Sequence, residues 1–184
     1  DMKHQRSLRI IGGKWRGRKV SFSDRKEIRP TGDRIRETLF NWLTNEMADA
    51  CCLDLFAGSG ILGIEALSRG AAKLTFVDRE KDITNSIKDN LESLGANNFK
   101  LRHNDATTFL EETEQVFDVI FLDPPFHQDN VNSLISIIKK RGLSHGLVYV
   151  ETESTQVFSD LPDYCDIYRQ KKAGRVCYGL ISIS

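Results

Sequence analysis

The 184-residue chain carries 26 basic and 26 acidic side chains, four cysteines and 40% hydrophobic residues. That length and balance exclude a disordered tail, a fibrous repeat or a disulfide-stapled miniprotein, because a chain of this size buries roughly 70% of its unfolded surface without staples. The neutral total hides a polarity: the first 36 residues hold twelve basic and four acidic side chains, a net of about +8, and the rest holds about −8, an asymmetry that points to a polyanionic partner.

No stretch reads as a signal peptide or as an apolar run long enough to span a membrane. No Cys/His spacing matches a zinc site, so no metal is expected. Cys51, Cys52, Cys165 and Cys177 read as the reduced thiols of a cytoplasmic protein, and a monomer is expected.

In chain order, residues 8–11 and 18–22 read as two short strands around Gly12-Gly13, a small basic hairpin with Lys14, Trp15, Arg16, Arg18 and Lys19 at or near its tip. Trp15 is placed there either to stack on a base or to pack against the domain. Residues 29–33 form a loop, with Thr31 or Asp33 as cap for a helix on which Ile35, Leu39, Trp42 and Leu43 recur at helical spacing. Strands at 51–54, 73–77, 99–103, 117–122 and 147–151 then alternate with helices at 61–69, 83–94, 107–112 and 131–140. That alternation predicts a parallel sheet covered on both faces. Strands at 164–170 and 176–183, joined through Ala173-Gly174, leave no room for a helix and predict an antiparallel hairpin at the sheet edge.

The chemistry-bearing residues sit where strands should end. Asp54-Leu55-Phe56-Ala57-Gly58-Ser59-Gly60 is a strand end that turns through glycines into a helix, the shape of a nucleotide site. A G-x-G alone is weak. The acid at its start says more, since a carboxylate there repels a pyrophosphate and suits a ligand bearing ammonium and sulfonium charges. Asp78 ends the second strand, where an acid can accept both hydroxyls of a ribose; the alternative is an ordinary helix cap. Asp105-Ala106 follows the third strand and suits the exocyclic amine and ring of adenine, again with a helix cap as the alternative. After the fourth strand, Asp123-Pro124-Pro125-Phe126 sets a carboxylate beside a carbonyl held by two prolines that lack N–H donors. Two such acceptors orient an aromatic amine, and Phe126 offers a face on which its base can stack. His127 is a candidate proton acceptor.

The aromatic-terminated D-P-P tetrapeptide and the D-x-F-x-G-x-G run resemble the amino-group class of S-adenosylmethionine-dependent methyltransferases. More narrowly, LRIIGGKWRGRKV, RPTGDRIRETLFNWL, LDLFAGSGILGIEALSRGA, FLDPPF and KKAGRVCYGL are similar to the RsmD-type bacterial 16S rRNA (guanine-N2)-methyltransferases. The resemblance implies a Rossmann-like class I methyltransferase fold: a seven-stranded, mostly parallel sheet with an antiparallel C-terminal hairpin. It divides the chain into a basic RNA-binding extension over 1–30 and a methyltransferase domain over 31–184.

It also implies S-adenosylmethionine held by Asp54, Phe56, Ala57, Gly58, Gly60, Asp78, Asp105 and Ala106, and a target amine held by Asp123, Pro124, Pro125 and Phe126. The RNA contacts fall on Lys14, Trp15, Arg16, Arg18, Lys19 and Arg34. The implied partner is 16S rRNA, within a small ribosomal subunit or an assembly intermediate. Part of the 29–36 segment is expected to close over the cofactor or substrate. Asp78 stands where such folds often carry Glu. The alternatives are methylation of another nucleic-acid amine (adenine in DNA, or a different rRNA site), a nicotinamide-dependent oxidoreductase, and a non-catalytic RNA-binding protein on the same fold.

Overall fold

The computed structural model describes residues 5–25, 28–125 and 131–184. Phe126 and His127 therefore lie outside the described residues. Seven strands form one sheet: β3 (Cys51–Asp54), β4 (Lys73–Asp78), β5 (Phe99–His103), β6 (Phe117–Leu122), β7 (Ser144–Thr152), β8 (Cys165–Ala173) and β9 (Val176–Ile183), in spatial order β5-β4-β3-β6-β7-β9-β8. The first five are parallel, and β9 enters antiparallel between β7 and β8. This is the Rossmann-like class I methyltransferase arrangement. A second sheet of two antiparallel strands, β1 (Gln5–Arg9) and β2 (Lys19–Ser23), is the N-terminal hairpin.

Strand alternation supplies both faces of the core. Cys52, Phe76, Val119, Phe121 and Tyr149 point to one face, while Leu53, Val77, Ile120, Leu122 and Val150 point to the other. This period of two, apolar on both sides, marks a sheet covered by helices on each face. Helices α1 (Asp33–Trp42), α2 (Ile61–Ser68) and α3 (Lys81–Ser93) cover the first face; α4 (Ala106–Glu112), α5 (Val131–Arg141) and the four-residue α6 (Gln156–Ser159) cover the second. The short α6 has no periodic signal in the sequence.

Every residue of α2 is buried, so its pattern is apolar all round rather than striped. Gly63 makes that depth possible: a Cβ there would lie 2.3 Å from the Phe76 ring and 2.6 Å from Leu74. Gly60, the N-cap of α2, has φ +82, a left-handed conformation in which L side chains are strained.

The hairpin is fastened to this body rather than loosely appended. Ile10, Trp15, Val20 and Phe22 share a core cluster with residues of α2 and β4. The hairpin pairing runs on to Ile10, whose N–H donates to the Arg18 carbonyl, and then ends because the Ile11 and Gly12 N–H donate to the Glu65 carboxylate at 2.9 and 3.1 Å. Glu65 is fully buried, lies 3.3 Å from Arg36 Nη1, and also receives Arg69 Nε. Arg36 is itself fully buried and pairs with Asp33 as well. One of the twelve front-end cations is thus neutralised inside the core.

The helix cap expected from Thr31 or Asp33 is corrected. Gly32 is the N-cap and makes no side-chain cap, because the Thr31 hydroxyl and the Asp33 carboxylate are committed to other partners.

Candidate active site

Strands β4 and β6 flank β3 on opposite sides, so successive connections leave β3 in two directions. A crevice opens beyond the carboxyl ends of strands at such a switch point. Here it is a cavity of about 540 Å³, within the range that holds a nucleoside-sized ligand. Asp54, Phe56, Ala57, Gly58, Asp78, Asp105, Ala106, Asp123, Pro124 and Pro125 all line it. Gly60 does not; it stands behind the wall, its Cα hydrogen edge against Ile87.

Asp54 is 2% exposed, at the end of β3 beneath the glycine turn. Its Oδ2 accepts the Gly63 N–H at 3.1 Å. Burial pushes its pKa up to about 8, with Asp78 adding to the rise and the Gly63 N–H opposing it. Asp78 accepts the Gly58 N–H at 3.1 Å and the Glu80 N–H at 3.0 Å, which ties the end of β4 to the glycine turn. Burial also raises its pKa, against the pull of those two donors. The N-cap of α3 is Glu80, so Asp78 is not the ordinary cap it was weighed against. Asp105 is the N-cap of α4, accepting the Thr108 N–H at 3.1 Å, and lines the cavity as well.

Around Asp123 stand residues whose part the sequence did not reveal, of which Thr31 lines the cavity. Thr31 Oγ1 lies 3.3 Å from Asp123 Oδ2 and 2.9 Å from Glu151 Oε1, and the Tyr149 hydroxyl donates to the same Glu151 oxygen at 2.7 Å. Thr31 and Glu151 are 3% and 5% exposed. Burial, then the neighbouring Glu151 carboxyl, hold the Asp123 pKa well above the usual range, while the Thr31 donor works the other way. A hydroxyl has one proton to give; with the Tyr149 hydroxyl donating to Glu151, the Thr31 proton is free to serve Asp123. The only sequence signal for Glu151 was its place at the end of a strand, one more acid at the same edge.

The residues expected to contact RNA lie away from the cavity. Lys14, Arg16, Arg18, Lys19 and Arg34 are exposed, and none of them lines the cavity. Trp15 is corrected to a packing role: it is 7% exposed, its N–H bonds Ser68 Oγ at 3.0 Å, and the Lys14 ammonium sits 4.6 Å from its ring centroid. In the 29–36 segment, Arg29, Pro30 and Thr31 line the cavity, whereas Arg36 belongs to the buried cluster.

Gly58, Gly60 and Gly63 hold the G-x-G-x-x-G spacing of dinucleotide sites, so glycines alone do not separate the two ligand classes. Asp54 does: its carboxyl lies beneath the turn where a pyrophosphate would rest, and it favours a cation. With acids ending three successive strands and an Asp-Pro-Pro turn beyond the fourth, fold and site define a class I S-adenosylmethionine-dependent methyltransferase.

The comparisons narrow the class. The chain belongs to the family described as Conserved hypothetical protein 95, whose model matches residues 8–182. It is 41% identical over 175 residues to the ribosomal RNA small subunit methyltransferase D of Escherichia coli strain K12, covering 94% of this chain and 88% of the relative. It is 41% identical over 179 residues to the protein of the same name from Haemophilus influenzae, covering 94% and 92%. A solved Escherichia coli methyltransferase superposes with a TM-score of 0.87 at 38% identity, covering 97% of this chain and 98% of that one.

Proposed function

We propose that the protein transfers the methyl group of S-adenosylmethionine to the exocyclic N2 amine of a guanine in small-subunit (16S) rRNA. The observation that carries this reading is the joining of Asp54 and Asp123 in one cavity, at the ends of adjacent strands β3 and β6. The names of the relatives support the RNA substrate.

When bound, S-adenosylmethionine supplies an electrophilic methyl on a sulfonium that leaves as a neutral thioether. The chain's part is positioning and charge. Asp54, Asp78 and Asp105 hold the cationic and nucleoside portions of the cofactor. Asp123 and the Pro124 carbonyl accept from the target amine and aim its lone pair, and Phe126 stacks on the base. A guanine reaches this pocket only when swung out of its stack. Thr31, Glu151 and Tyr149 fix the Asp123 carboxyl beside the positive charge that develops on the amine. Alignment of this kind needs no metal. The N-terminal hairpin over 1–30 serves as a basic appendage for more distant RNA. The setting is the cytoplasm, where the small subunit assembles, and the enzyme acts as a monomer.

Asp123→Ala tests the assignment. Cofactor affinity by calorimetry should stay within about twofold of wild type, while methyl incorporation into small-subunit RNA falls by roughly a hundredfold or more. Near-normal turnover would sink the role of Asp123.

A further inference from the structure

The tips of the two basic hairpins lie at opposite ends of the parallel strands. The tip of β1–β2 is bound at the far ends of α2 and α3: Lys14 N–H donates to the Ser68 carbonyl, and Arg18 Nη2 to the Ser93 carbonyl. The near ends of those helices face the cavity. Helix α3 has 13 residues, about 20 Å of rise, so Lys14, Arg16 and Arg18 stand roughly that far from the reacting base.

The tip of β8–β9 lies instead at the rim of the cavity. Cys177 on β9 pairs with Thr152, the last residue of β7, and Lys172 pairs with Cys177 from the other side. Arg175, in the turn, lines the cavity itself. Residues 168–175 hold four basic side chains and no acid, within the part of the chain that is net negative. Arg169, Lys171, Lys172 and Arg175 are exposed, and none forms an ion pair among the described residues. Lys171 and Lys172 are consecutive on a strand and stand on its opposite faces, so the tip is basic on both sides. Lysines on an edge strand also discourage pairing with another chain, but that does not account for Arg175, which is in the turn and at the cavity mouth.

We propose that the β8–β9 tip is the RNA-gripping surface nearest the reacting base, with Lys171, Lys172 and Arg175 holding the phosphates that flank the extruded nucleotide. This rests on the rRNA reading and adds a site to it. A nucleotide swung into the cavity brings its own two phosphates to the rim, and the rim is where these three cations are. The N-terminal tip, at the other end of the strands, engages phosphates farther along the RNA.

The test is methyl transfer from labelled S-adenosylmethionine to unmodified small-subunit RNA and to subunits reconstituted from it, over a range of salt. The K171E/K172E/R175E variant is compared with wild type and with K14E/R16E at the far tip. The rim variant should raise KM for RNA by roughly tenfold or more and flatten the salt dependence by about two to three phosphate contacts. Tm should stay as in wild type, and K171E/K172E, which leaves the cavity-lining Arg175 intact, should also keep the wild-type cofactor affinity and kcat at saturating RNA. Wild-type KM and salt slope in the rim variant would overturn the proposal. If charge reversal lowers Tm, K171A/K172A/R175A decides: a raised KM at unchanged Tm supports the proposal, and an unchanged KM overturns it. Wild-type enzyme that methylates neither RNA nor subunits contradicts the function itself, a different outcome from a normal rim variant of an active enzyme.

Discussion

Replacing Asp54 by Asn probes the central electrostatic feature of the cavity. Burial raises the Asp54 pKa from 3.8 to about 8, so the folded protein holds this proton more tightly than the unfolded chain does. The sign follows: the carboxyl costs no stability at or below about pH 4, and its cost grows as pH rises towards 8. Each pH unit in that interval is worth about 1.4 kcal/mol, which sets a ceiling of roughly 6 kcal/mol. With the cavity open to solvent we expect about 2 kcal/mol, or about 4–8 °C in Tm for a domain of this size. Asn keeps an acceptor for the Gly63 N–H but cannot ionise. Asp54→Asn should therefore be more stable than wild type at about pH 8 and equal to it near pH 4. Above about pH 8, where Asp54 is ionised, its affinity for S-adenosylmethionine should fall by roughly tenfold or more relative to wild type, because a buried countercharge is gone. Urea unfolding across this pH range, paired with calorimetric titration of the cofactor, measures both. Identical pH dependence of stability in the two proteins, or unchanged cofactor affinity, would refute the reasoning.

Two further substitutions separate architecture from chemistry. Glu65→Ala removes the acceptor of the Ile11 and Gly12 amides and leaves Arg36 buried without its partner on α2; we expect a loss of about 3–5 kcal/mol, measured by urea unfolding, with amide exchange accelerating first in the β1–β2 hairpin. Thr31→Val removes the hydroxyl between Asp123 and Glu151. Loss of a buried donor worth about 1–3 kcal/mol should cut methyl transfer by roughly 10–100-fold at unchanged cofactor affinity. Because that donor favours ionised Asp123, its loss should move the acid limb of the rate–pH profile to higher pH.

The sheet was legible because its strands are short apolar runs ended by acids or turns, and because α1, α3 and α5 carry striped patterns. The position of the cavity was legible for a related reason: Asp54 and Asp78 each terminate a strand, Asp105 stands two residues beyond one, and parallel strands align their ends. What could not be read was anything decided by one side chain's choice among distant partners. Thr31 looked like a helix cap because Ser and Thr cap helices, yet its hydroxyl turns to carboxyls 92 and 120 residues away. The burial of Glu65 and Arg36 could not be read, since no local pattern announces a buried ion cluster. Trp15 sat among cations and read as open to an RNA partner, while its ring contributes to the core. The front-end charge was counted correctly, but its placement depends on which end of α2 and α3 the hairpin reaches. That geometry moves attention to the β8–β9 tip.

The account's central claim is tested most directly by nucleoside mass spectrometry of small-subunit RNA before and after incubation with the purified protein and isotopically labelled S-adenosylmethionine. The account predicts one labelled methyl per RNA, recovered as N2-methylguanosine. Label on an adenine, on a ribose, or on no nucleoside of either the free RNA or the subunit would contradict it.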